Sequence, residues 1–388
     1  MIGRHQLPVS STITARALVR ALAPAFGDGA HERAALDAEL RHAFGASGVV
    51  LLDSGTSALA MALRACTPAG GVVALPAYAC VDIGAAAIYA RLRVRLYDVD
   101  PETLSADLDS VSRVLETGAD TIVVSHLFGY PADVPAVAAL AAEHGAAVIE
   151  DAAQGAWGSL RGTRLGGFGP LAVLSFGRGK GMTGGGGGAL LSIGEHALNA
   201  LTDHGARVAA PASSVRTLVV TAAQWALGRP ALYALPSSVP ALHLGETIYH
   251  PAHEPHAIPS ASATLVRAAL ARADQDLAVR RRHAEVLALA ARNARDVGAI
   301  RAIPGAEPGY LRFPMRLSEA RTGNREQPVL GIVHGYPDTL ADLVELRSSL
   351  IGDETLPGAR ELQRSIVTLP THALLSKRDL MKLCSWMG

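Results

Sequence analysis

Cysteine, lysine and net charge are scarce in this sequence, and each scarcity removes a class of protein. Its three cysteines, Cys66, Cys80 and Cys384, show neither a C-x-x-C pair nor a metal-ligand spacing, and an odd number makes a poor disulfide framework. The expectation is a reducing, cytoplasmic setting and no metal site. Lys+Arg and Asp+Glu stand at 35 each, so the formal net charge is zero. That balance argues against a nucleic acid or a membrane as partner. Long apolar runs are missing too. The most membrane-like stretch, residues 70–90, is interrupted by Pro76, Asp82 and Gly84, and reads as strand, turn and helix. The opening "MIGRHQLPVSSTITARALVRALAPAF" has arginines but no continuous apolar centre followed by a cleavage site, so no secretory leader is expected.

What is present suits a globular enzyme. Hydrophobic residues make up 49% of the 388 and charged residues 18%, enough to bury a sizeable core. Short β-branched runs recur between Ala-rich segments: "VVLLD" at 49–53, "VVALP" at 72–76, "VRLYDV" at 94–99, "TIVVSH" at 121–126, "AVIED" at 147–151, "LAVLSF" at 171–176 and "ALLS" at 189–192. Apolar strands alternating with helices predict a mostly parallel seven-stranded sheet covered on both faces. Ligands of such sheets gather at the carboxyl ends of the strands. An Ala-rich helical stretch at 194–242 leads into a Pro- and His-rich connection at 243–262. A large domain over 1–250, with an N-terminal helical segment, and a smaller α+β domain over 251–388 are therefore expected.

Several residues at those strand ends are candidates for chemistry. In "DSGTSALAMALRA" (53–65), Gly55 permits close backbone approach, and Thr56 and Ser57 stand beside the free N–H groups of a helix start. That suits a phosphate, or Ser54 or Thr56 is simply an N-cap. Tyr78 ends the second strand and either stacks on a flat ligand or packs. "VIEDAAQG" (148–155) ends an apolar strand on two carboxylates. Asp151, buried there, would keep a nearby ring nitrogen protonated, as a pyridinium cofactor requires. Metal binding by Glu150 and Asp151 together is disfavoured, because adjacent strand residues face opposite ways. His126 either touches substrate or is a hydrogen-bonded histidine at the sheet edge. His250, His253 and His256 with Glu254 read as an interface or pocket-lining loop.

Lys180, in "LSFGRGKGMTGGGGGALLS" (174–192), is one of three lysines; the others are Lys377 and Lys382. A P-loop fails here, since Leu174 and Gly181 occupy the positions that need Gly and Ser or Thr. Arginine supplies nearly all the cationic surface, so a lysine at this place points to imine chemistry, which guanidinium cannot perform.

The ordered motifs "SGTSAL" (54–59), "SHLFGYPADV" (125–134), "VIEDAAQGAWGS" (148–159), "GGFGPLAVLSFGRGKGMTGGGGGALL" (166–191) and "RSIVTLPTH" (364–372) resemble the DegT/DnrJ/EryC1/StrS aminotransferases, fold-type I pyridoxal-phosphate enzymes acting mostly on nucleotide-linked keto sugars. The resemblance implies that Lys180 forms the Schiff base and moves protons. It also implies that Asp151 pairs with the pyridinium nitrogen, that Tyr78 stacks on the ring and that Gln154 lies near its phenolic oxygen. Gly55, Thr56 and Ser175 would hold the phosphate. A homodimer follows from the same resemblance. So does an aminotransferase taking an amino group from an amino acid such as glutamate to a keto or aldehyde acceptor of sugar or secondary metabolism. Elimination or carbon–carbon chemistry on an amino-acid-type substrate is the alternative, and a non-catalytic ligand-sensing regulator is a third reading. Two departures bear on the substrate: residues 184–188 are all glycine where the family carries a Gly-Glu-Gly-Gly, and "YHPAHEPHAIPS" (249–260) stands where it carries a Gly-x-Asn.

Overall fold

The computed structural model describes residues 4–27, 29–194, 208–239, 247–324 and 326–388. Parts of the expected helical stretch at 194–242 and of the connection at 243–262 lie outside the described residues. In chain order the strands are β1 (Gly48–Leu52), β2 (Val72–Pro76), β3 (Arg93–Tyr97), β4 (Thr121–Ser125) and β5 (Ala147–Asp151). A short ribbon, β6 (Ser159–Leu160) and β7 (Thr163–Arg164), precedes β8 (Leu171–Ser175) and β9 (Gly188–Ser192). Then come β10 (Val297–Ala299), β11 (Ala306–Glu307), β12 (Phe313–Leu317), β13 (Val333–His334) and β14 (Ile366–Leu369). The first seven helices are α1 (Ala15–Arg20), α2 (Leu22–Phe26), α3 (Ala30–Phe44), α4 (Gly55–Cys66), α5 (Val81–Tyr89), α6 (Leu108–Glu116) and α7 (Val134–Glu143).

Among the described residues, seven strands form one sheet in the order β1-β9-β8-β5-β4-β2-β3. β9 alone runs antiparallel, between β1 and β8; the pairs from β8 to β3 are parallel. β2 and β5 coincide with the expected runs, while Asp98, Val99, His126 and Phe176 fall just beyond their strands. The sheet is buried on both faces, as its unbroken apolar runs require. One face packs with α4 and α5 around Leu59, Leu63 and Ile83; the other is covered by α6 and α7 through Val111, Val114, Val134 and Val137. Because β9 reverses direction, it begins where β1, β2, β4, β5 and β8 end. The segments that follow these strand ends therefore lie along one edge of the sheet.

The smaller layer is an antiparallel sheet, β10-β12-β14-β13, packed on the helices Ala273–Arg292 and Lys377–Met387 through Leu287, Met315, Val367 and Leu383. Its next helix, Pro357–Ser365, caps the main core instead, where Leu362 joins Leu346 and Leu96. The helix Ser260–Leu270 lies on the small-domain side of a division at residue 250. It packs on α3 and on the helix Ser214–Leu227, so it belongs with the large layer. We place the change of layer along Ala273–Arg292.

Candidate active site

β1 delivers the chain into α4 through Ser54, whose extended backbone and side chain cap the helix: Ser57 N–H donates to Ser54 Oγ at 3.0 Å. The N-cap reading thus holds for Ser54, and Gly55 and Thr56 are left facing the cleft with the first-turn N–H groups of α4. A side chain at residue 55 would put its Cβ 2.8 Å from the Cβ of Ser175, so glycine is what allows β8's last residue to sit against the helix start. The Ser175 hydroxyl and the α4 N-terminus form one small, donor-rich cup.

β5 ends with its two carboxylates on opposite faces. Glu150 is fully buried and accepts hydrogen bonds from the N–H groups of Gly166 (2.5 Å), Phe168 (2.7 Å) and Gly169 (3.0 Å). It also pairs with His126 Nε2 at 2.9 Å. His126 Nδ1 accepts from Ala132 N–H at 3.0 Å, which places the imidazole proton on Nε2, donated to Glu150. The hydrogen-bonded reading of His126 is therefore correct, although the ring borders the cavity. Asp151 turns toward that cavity. Its carboxylate accepts from Ser125 Oγ at 3.1 Å and from Ala153 N–H at 3.0 Å, which leaves it 9% exposed and fixed in direction. Gln154 is held at both ends: Phe128 N–H donates to Oε1 at 2.9 Å and Nε2 donates to the Tyr336 hydroxyl at 2.5 Å.

Lys180 follows β8 in a turn stapled by Ser11, whose hydroxyl donates to the Lys180 carbonyl. Its side chain lines the same cavity as Gly55, Thr56, Asp151, Gln154 and Ser175. Six of the seven expected residues thus converge.

Tyr78 does not join them. It is fully buried; its hydroxyl accepts from Tyr336 N–H at 2.7 Å, and its ring meets the Tyr336 ring edge-on at 5.3 Å. The residue that reaches the cavity from that loop is Cys80, ahead of α5. Burial, helped by Asp82, pushes the Cys80 thiol up to about 12, so it stays neutral and is not a nucleophile. Tyr336 was invisible as a motif: it comes from the small layer, 182 residues from its partner Gln154, and only tertiary structure joins them. Its ring stacks on Phe128 at 5.5 Å, and burial raises its phenol well above the usual range. Phe128 sits at φ 54°, an uncommon conformation for a bulky residue, costing about 1–3 kcal/mol and typical of sites whose surroundings over-determine the backbone.

Beyond Lys180, Gln154 and Tyr336 the cavity opens into a cleft of about 890 Å³, walled by residues 7–13 on one side and the helix Ser214–Leu227 on the other. Arg4, Arg178, Arg229 and Arg312 line it, without a carboxylate among the lining residues. Burial lowers the Arg312 pKa. The space has the size of a small-molecule site and the charge of one that takes an anion. Of the histidine cluster, His253 Nε2 lies 3.6 Å from Asp53 Oδ2, and His256 Nδ1 lies 2.8 Å from the Ala210 carbonyl. His253 and the His256 N–H brace the loop against Asp53, just past the end of β1, and the two imidazole rings pack on each other with centroids 5.9 Å apart.

Comparison with known proteins agrees with this geometry. The sequence profile of the DegT/DnrJ/EryC1/StrS aminotransferase family matches residues 15–219. A UDP-N-acetyl-3-dehydro-alpha-D-glucosamine 3-aminotransferase of Acidithiobacillus ferrooxidans is 32% identical over 176 residues, covering 44% of this chain and 48% of its own. A dTDP-4-dehydro-2,3,6-trideoxy-D-glucose 4-aminotransferase of Saccharopolyspora spinosa is 34% identical over 180 residues, with coverage of 45% and 46%. The chain thus spans less than half the length of these curated relatives. AtS13 from Actinomadura melliaura superposes with a TM-score of 0.76 at 22% identity, covering 100% of this chain and 99% of its own. DesI, solved in the presence of its TDP-sugar product, gives 0.77 at 18%, with coverage of 99% and 92%. These structures share the fold. With the profile spanning more than half of the sequence and its motifs meeting in one cavity, the chain belongs to the DegT/DnrJ/EryC1/StrS aminotransferase family.

Proposed function

We propose that this chain is a pyridoxal-phosphate aminotransferase that moves an amino group from an amino acid, such as glutamate, to an anionic keto or aldehyde acceptor of sugar or secondary metabolism. The observation that carries this reading is the convergence of the Lys180 amine, the Asp151 carboxylate and the α4 N-terminus on a single cavity.

These residues fit the cofactor in size and chemistry. The Gly55–Thr56 backbone and Ser175 offer donors for a phosphate in a cup that a larger side chain at residue 55 would fill. Asp151 offers a fixed carboxylate for a protonated ring nitrogen, oriented by Ser125 and Ala153. Cys80, not Tyr78, is the residue of the β2 loop that lines the cavity, so a small thiol would stand where an aromatic platform is expected. When bound, pyridoxal phosphate supplies an electrophilic carbonyl carbon and an electron sink. Lys180 would hold the cofactor through its amine, and its Nζ would carry the proton to and from the substrate carbon. Gln154, clamped between Phe128 and Tyr336, faces the space between the cofactor cup and the cleft. The cleft arginines would bind the anionic part of the substrate, and residues 7–13 would shield the reaction from water. As in the family, a homodimer in the cytoplasm is the form we expect.

The test is an absorbance spectrum of the purified protein before and after borohydride, with Lys180→Ala alongside. The wild type should show an imine band that borohydride removes and the variant should not; a wild type without that band refutes the cofactor assignment. Adding amino donors should then convert the pyridoxal form to the pyridoxamine form. A cofactor-loaded protein in which no donor does so would instead perform elimination or carbon–carbon chemistry, or bind ligand without turnover.

A further inference from the structure

Exposed large apolar side chains are unevenly spread over the described surface. Val19, Leu22 and Phe26 project from α1 and α2, with Phe26 77% and Val19 65% exposed. Val215, Val219 and Leu235 project from the helical segment 214–239, with Val219 63% exposed. The two sets belong to one packed unit: α1 and α2 contact the helix Ser214–Leu227, through a small core that includes Ala17, Ala21, Ala25 and Leu218. With Leu218 and Thr221 buried on the inner side of that helix, Val215 and Val219, one turn apart, form an outward stripe. A patch of this kind marks an interaction surface.

Charge identifies what covers it. Residues 1–27 and 204–245 contain no Asp or Glu, although the chain as a whole balances 35 against 35. Arg16, Arg20 and Arg216 are exposed on the same helices, and none of them makes an ion pair among the described residues. A second copy seated on this face would set arginines against arginines. An anionic bilayer satisfies both features at once, taking the apolar side chains into the acyl boundary and the guanidinium groups among headgroup phosphates. The face also runs into the cleft, since Val220, Leu227 and Arg229 of the same segment line it. No described helix is long and apolar enough to cross a membrane, so the contact is interfacial.

We propose that the face made by α1, α2 and the segment 214–239 docks on the surface of an anionic lipid bilayer and so brings the cleft to the membrane interface. Zero net charge had pointed away from a membrane; it conceals this local segregation.

The experiment is vesicle flotation of the full chain, loaded with pyridoxal phosphate, on phosphatidylcholine alone and on phosphatidylcholine with phosphatidylglycerol. At low salt the anionic vesicles should carry at least about tenfold more protein, and high salt should remove most of the difference. Each of Arg16→Gln, Arg20→Gln and Arg216→Gln should lower binding about fivefold, and Val19→Glu with Val219→Glu should abolish it, all with melting curves like the wild type's. Equal binding to both vesicles, no binding to either, or binding unchanged in the arginine variants overturns the proposal. So does a Val19→Glu, Val219→Glu protein that falls from oligomer to monomer while the wild type does not float, since the face would then join copies of the chain.

Discussion

At the scale of single residues the site turns on Tyr336, which spans the gap between the two layers. Its backbone is tied to Tyr78, its ring lies on Phe128 and its hydroxyl receives the Gln154 amide. Tyr336→Phe removes only that last bond. A net hydrogen bond is worth about 0.5–1.5 kcal/mol, so kcat/KM should fall roughly three- to tenfold while cofactor content and the melting temperature stay close to the wild type's. Steady-state kinetics beside a cofactor titration check this, and an unchanged kcat/KM would mean that Gln154 needs no such clamp. The same neighbourhood shows where sequence reading fell short. Tyr78 looked like a ring platform because an aromatic at a strand's carboxyl end can serve as one. Its orientation was set by the partner it found, a backbone N–H 258 residues away, and no local pattern encodes that pairing. Lys180, Asp151, Gly55 and Ser175 were legible for the opposite reason: their placement follows from strand ends, which apolar runs reveal directly.

At the scale of elements, the loops rather than the strands hold the site together, and two of them make separable predictions. The loop over residues 166–169 hangs on Glu150, through three backbone N–H groups. Glu150→Ala would strand those donors and the His126 N–H in a buried setting. It should cost about 3–5 kcal/mol and, because Asp151 is the adjacent residue, loosen cofactor binding as well; chemical denaturation and a cofactor titration report the two effects. The glycine run gives a sharper contrast. A Cβ at Gly185, where φ is +75°, would lie 1.8 Å from Thr221 Oγ1, whereas one at Gly186 meets open space. Gly185→Ala should destabilise by more than about 1 kcal/mol, and Gly186→Ala should be neutral or stabilising by up to about 1 kcal/mol. If both are equally damaging in denaturant melts, the loop does not pack under the helix Ser214–Leu227 as described. In sequence the run marks the place of a missing carboxylate. Which glycines packing requires, and which leave room for a side chain, depends on Thr221, 36 positions beyond Gly185.

At the scale of the whole molecule, the N-terminal segment is the tie between layers, and its anchor titrates. His372 lies just beyond β14, buried, with Nε2 donating to the Leu7 carbonyl at 2.9 Å and Nδ1 accepting from Leu374 N–H at 3.3 Å. Residues 7–13 wall the cleft and Ser11 reaches the Lys180 carbonyl, so this imidazole, together with the backbone bonds of His5 and Gln6 and the Arg4–Asp379 pair, ties down the strap that covers the Lys180 turn. Burial, with His283 nearby, lowers the His372 pKa from 6.5 to about 4. The folded state therefore binds fewer protons than the unfolded state between those values. Stability is complete above pH about 6.5 and falls as pH drops toward 4, by up to about 3 kcal/mol. Protonation also takes away the acceptor used by Leu374, so the strap should loosen before the sheet does. Urea melts from pH 7.5 to 4.5 should show this slope in the wild type and a flatter one in His372→Gln, which has lower stability at neutral pH but no imidazole to charge. Hydrogen exchange at pH 5 should show residues 5–13 opening ahead of β4 and β5. Equal slopes in the two proteins would place the acid sensitivity elsewhere and leave the strap held by its other contacts.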